Sequence, residues 1–270
     1  MMYDYWQKQT EKALFPEIEW SKPERKDQAG RILIIGGSQG NFRAVALAYE
    51  TALRSGAGAV KVLVPDVLKK TIPPSITDVV FAPSNTSGGF SIDAKNDFLA
   101  AESWADSIVL IGDTNKNSET AILLEDFVKT STKQILITRD AIDILMNSFG
   151  EILNQDNITI IASFAQTQKI FQTVFYPKIL TFSMQLTNLV ETLHKFTITY
   201  PVTLGLSHAE NFIVASDGEV ISTPLNSTAA NGKISPLKIW SGEIPTKIAV
   251  YETWSPKQKA AAAATAIVMS

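Results

Sequence analysis

Glu243 is the carboxylate whose surroundings best suit proton transfer. It follows Gly242 in Trp240-Ser-Gly-Glu-Ile-Pro-Thr246, where Pro245 fits a first helical turn because its missing N–H has no partner to lose there. The free N–H groups of such a turn attract an anion or a phosphate, and Glu243 beside them would act as a base. The same carboxylate would also serve as a helix cap, so both readings stand. A second chemical feature is Gly36-Gly-Ser-Gln-Gly-Asn-Phe-Arg-Ala44, where small residues let a ligand approach the backbone at a helix start. It has neither the G-x-G-x-x-G of a dinucleotide fingerprint nor the Gly-Lys-Ser/Thr of a P-loop. It does contain G-x-S-x-G at Gly36, Ser38 and Gly40, the nucleophile-elbow pattern. A hydrolase would need His194 or His208, the two histidines present, and an earlier strand to carry an oxyanion hole. The pattern falls on the first strand-like run, so the turn reads as ligand-facing or as a plain glycine turn rather than as an elbow.

These groups need a scaffold, and the apolar pattern supplies one. Ile32–Ile35, Val60–Val64, Val79–Ala82, Ile108–Ile111, Ile135–Thr138, Ile158–Ala162 and Val202–Leu206 are apolar on consecutive residues, as strands buried on both faces are. Helical spacing lies between them at Ala44–Ser55, Asn117–Thr130 and Leu186–Phe196. The alternation predicts an α/β fold with a central, mostly parallel sheet and helices on both faces. Phe212–Thr223 breaks the rhythm, with Asp217-Gly218 as a two-residue turn predicting an antiparallel hairpin at the sheet edge. The segment 224–240 reads as a loop. Two helices follow, Ile244–Thr253 and Pro256–Met269, divided at Trp254-Ser-Pro.

Composition excludes several function classes. The 270 residues include no cysteine, which removes thiolate zinc, iron–sulfur and cysteine-nucleophile chemistry. A balance of 24 basic against 27 acidic residues, with no run of more than two Lys or Arg, argues against bulk electrostatic binding of nucleic acid. Ala260–Met269 is about half of a membrane span, and the N-terminus lacks the pattern of a signal peptide. The expectation is a cytoplasmic protein, with the Asn85, Asn157 and Asn226 sequons arising by chance.

Three stretches resemble the ADP- or ATP-dependent NAD(P)H-hydrate dehydratase family of the ribokinase-like superfamily. The first runs from Gly30-Arg-Ile-Leu-Ile-Ile-Gly-Gly-Ser through Ala44 to Ala52-Leu-Arg-Ser-Gly-Ala-Gly-Ala-Val and Val64-Pro65. The second joins Asp106-Ser-Ile-Val-Leu-Ile-Gly112 to Ile135-Leu-Ile-Thr-Arg-Asp-Ala-Ile142. The third extends from Val202 through the Asp217-Gly218 turn to Ser241-Gly242-Glu243 and the Ala-rich C-terminal helix. The resemblance covers residues 25–270 as one domain, with residues 1–24 as an N-terminal extension.

By resemblance, such an enzyme is a lyase that uses ADP or ATP, with Mg²⁺, to phosphorylate the hydroxyl of hydrated NADH or NADPH and then eliminates phosphate. It would be a cytoplasmic homo-oligomer binding a small nucleotide and a dinucleotide, with no nucleic acid or membrane partner and no metal-ligating side chain assigned. Glu243 takes the place of the family's catalytic Asp in Gly-Thr-Gly-Asp and would receive the hydroxyl proton. Ser207, His208, Ala209, Glu210, Asn211 and Gly242 would line the nucleotide; Ala44, Gly112, Ser163 and Glu243 would face the substrate. The departures are marked. Leu206-Ser-His-Ala209 replaces Leu-Lys-Gly-Ala, so the phosphate-neutralising lysine is gone, and Ser163-Phe-Ala-Gln166 replaces His-Pro-Gly-Glu. Arg43 stands before Ala44 in place of glycine, Gly112-Asp-Thr-Asn-Lys116 replaces a glycine-rich turn, and of Asp-Ala-Asp the central part keeps Asp140 behind Thr138. Arg43, Lys238 and Lys247 are the candidate replacement cations, and Trp240 would either stack on an adenine or fill its loop. Two other readings follow from the losses: a non-catalytic nucleotide-binding or assembly relative, and a small-molecule kinase of the same superfamily.

Overall fold

The consecutive apolar runs form the inner strands of a ten-stranded sheet among the residues that the computed structural model describes, 4–225 and 236–269. The strands are β1 Trp6–Lys8, β2 Arg31–Gly36, β3 Ala59–Pro65, β4 Val79–Ala82, β5 Ser107–Gly112, β6 Gln134–Thr138, β7 Ile158–Ala162, β8 Thr203–His208, β9 Asn211–Ser216 and β10 Glu219–Pro224. The helices are α1 Pro16–Trp20, α2 Arg43–Ser55, α3 Lys95–Trp104, α4 Ser118–Thr130, α5 Asp140–Ile144, α6 Phe149–Ile152, α7 Phe164–Thr173, α8 Leu186–Thr199, α9 Pro236–Trp240, α10 Glu243–Trp254 and α11 Lys259–Val268.

The order across the sheet is β1-β10-β9-β8-β7-β6-β5-β2-β3-β4. From β8 to β4 every pairing is parallel, while β8–β9 and β9–β10 are antiparallel. The hairpin is therefore present around Asp217, but it is not the edge. β1 pairs in parallel with β10, Trp6 opposite Val220, and takes the edge position. Three residues carry too little pattern to be read as a strand, and the pairing depends on residues more than two hundred positions away.

Alternate side chains of each strand enter two cores. Leu33, Ile35, Ile108, Leu110, Ile135 and Ile137 pack beneath the helices from α3 to α8. Ile32, Ile34, Val109, Ile111 and Leu136 pack under α2, α10 and α11. The Ala260–Ala264 run is buried, and its small side chains let α11 lie close against α10 and the outer strands. Among the described residues, no helix is long and apolar enough to cross a membrane.

The segment 224–240 is only partly a loop: Pro224 ends β10 and Pro236–Trp240 forms α9. The rest of that loop, with the Asn226 sequon, lies outside the described residues. The other two sequon amides are used internally, Asn85 donating to Phe90 O and Thr120 Oγ1, Asn157 to Ser131 O and Lys133 O.

Candidate active site

Because β2, β5, β6, β7 and β8 run in parallel, Gly36, Gly112, Thr138, Ala162 and His208 end on one side of the sheet. The ends of β2 and β5 are in direct contact, with Gly37 N–H donating to Gly112 O at 2.8 Å. Gly112 has no alternative residue: its φ is +82°, and a Cβ would stand 2.4 Å from both Ala141 N and Asp140 Oδ1. Gly242 reaches the same place from the other chain direction. Its φ is +91°, and a Cβ there would meet Ile111 Cδ1 at 3.3 Å, Arg139 Cδ at 3.7 Å and Ala44 O at 3.8 Å. Gly242 thus comes up against Ala44 and against Ile111, the residue before Gly112; the region around them is the candidate ligand crevice, at the strand ends where open α/β sheets bind ligands.

Across that crevice lies Arg139, which follows β6. Its Nη2 donates to both oxygens of Asp113, at 2.9 and 3.0 Å, and its Nη1 donates to Trp240 O. Asp113 follows β5, and its carbonyl accepts from Ser38 Oγ at 2.6 Å. One guanidinium therefore connects the glycine turn after β2, the loop after β5 and the turn between α9 and α10. The Asp113 N–H donates to Asp140 Oδ1 at 2.5 Å. Burial pushes the Asp140 carboxyl up to about 6; that N–H bond pulls it down, and the charge of Asp113 adds to the rise.

Glu243 opens α10 behind Gly242, and its N–H donates to Ser241 Oγ at 3.4 Å. Its Oε1 lies 3.7 Å from Arg54 Nη2 in α2, and its Oε2 lies 3.2 Å from Ser241 Oγ. The carboxylate is three-quarters shielded from solvent while Arg54 is exposed, so the pair is weakly held. The carboxylate thus accepts from Ser241 Oγ and faces Arg54.

Ser207 and His208 end β8, Ala209 and Glu210 form a two-residue turn with φ of +45° and +60°, and Asn211 starts β9. His208 stacks on Phe164 with ring centroids 4.7 Å apart, and its Nε2 lies 2.7 Å from Met184 O. Ser163 caps α7 in a reciprocal pair with Gln166, whose Nε2 also donates to Arg139 O at 2.7 Å. Gln166 therefore braces the backbone that carries Arg139.

Of the three cations nominated from sequence, Arg43 stands beside Ala44 at the start of α2, Lys238 is in α9 and Lys247 in α10. Arg43 and Lys238 are exposed, and Lys247 donates to Met269 O, where burial lowers it to about 8. The cation in the crevice is Arg139, which sequence reasoning passed over. Its signal was a paired departure: a new Asp after β5 and a new Arg after β6, at the ends of neighbouring parallel strands. Trp240 covers this cation, the guanidinium carbon lying 5.5 Å from its ring. Among the described residues, no group of three or more His, Asp or Glu side chains converges to hold a metal ion.

The fold is ribokinase-like. A ribokinase-like superfamily protein from Enterococcus faecalis superposes with a TM-score of 0.70 at 14% identity, over 98% of this chain and 86% of that one. An ADP/ATP-dependent NAD(P)H-hydrate dehydratase from Bacillus subtilis, co-crystallised with ATP and Mg²⁺ and soaked with CoA, superposes at 0.61 and 14%, over 93% of this chain and 84% of that one. In sequence, the chain is 29% identical over 139 residues to a bifunctional NAD(P)H-hydrate repair enzyme of Dictyoglomus turgidum, and 32% identical over 130 residues to that of Escherichia coli. Those alignments take in about half of this chain and about a quarter of each relative. No family model matches the chain.

Proposed function

We propose that this chain is a divergent, nucleotide-driven NAD(P)H-hydrate dehydratase. The observation that supports the reading is the close approach of Gly242, just before Glu243 at the start of α10, to Ala44 O and to Ile111, the residue before Gly112 at the end of β5. That meeting occurs in a ribokinase-like fold whose sequence relatives are named as NAD(P)H-hydrate repair enzymes. An ADP or ATP bound beside Ser207–Asn211 would supply its terminal phosphoryl group to the substrate hydroxyl. The Ile244 N–H, together with that of Glu243, which lies 3.4 Å from Ser241 Oγ, would hold that phosphoryl group. Glu243 would take the hydroxyl proton, while Ala44, Gly112 and Ser163 would border the hydrated nicotinamide. Mg²⁺ would arrive on the nucleotide phosphates rather than in a cage of side chains.

Homo-oligomerisation and a cytoplasmic setting belong to the same proposal. Phe175, Ile179 and Phe182, exposed between α7 and α8, are an apolar surface that would serve the first. The replacements at Ser207 and Gln166 favour the second reading, a relative that binds nucleotide without turning over. Calorimetry with AMP, ADP and ATP, with and without Mg²⁺, followed by an assay on NADH and NADPH hydrates, separates the readings. Micromolar binding with restored dinucleotide supports the enzyme, and binding without turnover supports the relative. No binding at millimolar nucleotide removes both.

A further inference from the structure

The strand end after Leu206 lacks the family's lysine, and the crevice holds a different cation. Arg139 is 14% exposed and its partner Asp113 5%. Its Cδ lies 3.7 Å from the place a Gly242 side chain would occupy, and its Nη1 bonds the Trp240 carbonyl just before α10. The guanidinium therefore stands against the helix start on which the phosphoryl group would rest. The backbone beneath it is fixed, with φ at +57° and the carbonyl held by Gln166, so the side chain alone is free to exchange partners. Among the described residues its Nε–H is shielded from solvent and has no hydrogen-bond partner, leaving one strong donor unused there.

We propose that Arg139 is the phosphate-binding residue of this crevice, and that Asp113 is the counter-ion it gives up when a phosphorylated ligand enters. The inference rests on the nucleotide-binding reading above. A planar guanidinium grips phosphate through two parallel N–H bonds, so it replaces the missing lysine with a stronger and more directional donor. A buried pair is a poor device for stability alone, because desolvation offsets most of the attraction. It is a good device for storing a cation where an anion will be needed.

The test measures binding of ADP, ATP and inorganic pyrophosphate to the wild type, Arg139→Ala, Arg139→Lys and Asp113→Asn, with thermal unfolding of each. Arg139→Ala is expected to weaken all three ligands by about tenfold or more, and guanidinium ion at millimolar concentration to restore part of the loss. Arg139→Lys is expected to fall between. Asp113→Asn is expected to tighten binding, because it removes the competing carboxylate. A structural brace predicts instead that Arg139→Ala and Asp113→Asn lower stability together and shift affinity in the same direction, which would overturn the proposal. Unchanged affinity in Arg139→Ala beside a binding wild type also overturns it and leaves the functional reading intact. A wild type that binds none of the three ligands overturns both. If Arg139→Ala does not fold, the sign of the Asp113→Asn effect decides.

Discussion

Glu243 and Arg54 meet across the start of α10 and the last turn of α2, 3.7 Å apart, with the carboxylate shielded and the guanidinium in solvent. A pair so loosely closed costs little to open, which suits a carboxylate that must turn to a substrate. Glu243→Gln keeps the shape and removes the proton acceptor. The expected result is a fall in turnover of about 10²-fold or more with near-normal nucleotide affinity, and a stability change of about 1 kcal/mol or less. Steady-state kinetics beside thermal unfolding checks it; turnover equal to wild type would remove Glu243 from the chemistry.

Gly242→Ala tests the approach of the helix start to the strand ends. The substitution places a Cβ at φ of +91° and 3.3 Å from Ile111 Cδ1, which costs about 1–2 kcal/mol from the backbone alone. Nucleotide affinity should fall as well, since the added methyl stands in the crevice. Calorimetry showing full affinity in a folded variant would place the phosphate elsewhere.

At the opposite end of the sheet, Glu252 of α10 is completely buried, its carboxylate 2.9 Å from Thr159 Oγ1. Burial raises it from 4.5 to about 8, against the pull of the nearby Lys259 and the Thr159 bond. An acid with a raised folded pKa contributes stability that is complete below its unfolded value and is lost as pH rises through the folded one. The protein should therefore lose stability through this group as pH rises from about 4.5 to about 8, by several kcal/mol, with no further change above it. Glu252→Gln, uncharged throughout, should flatten that slope and be the more stable form at pH 9. Denaturant midpoints of the two proteins across that range give the answer, and parallel curves would show that Glu252 stays ionised.

The strands were legible because their residues obey a local rule. Val79–Ala82 and Ile158–Ala162 coincide with β4 and β7, and the Asp217-Gly218 turn sits between β9 and β10. The place of Gly112 at the end of β5 and of Ala44 in α2 was legible from the apolar runs and helical spacing around them. What stayed hidden depends on pairings across distance. Trp6–Lys8 is a strand only because Val220 is opposite. Arg139 is an interior cation only because β5 lies beside β6 and puts Asp113 within reach. His208 reads as a ligand-facing residue by position, yet its ring is engaged by Phe164 and by Met184 O.

The edge position of β1 also bears on how the chain is made. Trp6 Nε1 donates to Ser222 Oγ across 216 residues of sequence, a loop whose closure has to wait for nearly the whole domain. During synthesis, residues 6–8 leave the ribosome long before β10 exists. Until they dock, β10 presents an open strand edge of the kind that recruits other chains. Late docking of β1 makes this edge the period of greatest aggregation risk, and slow refolding from denaturant at high protein concentration is where that risk would show.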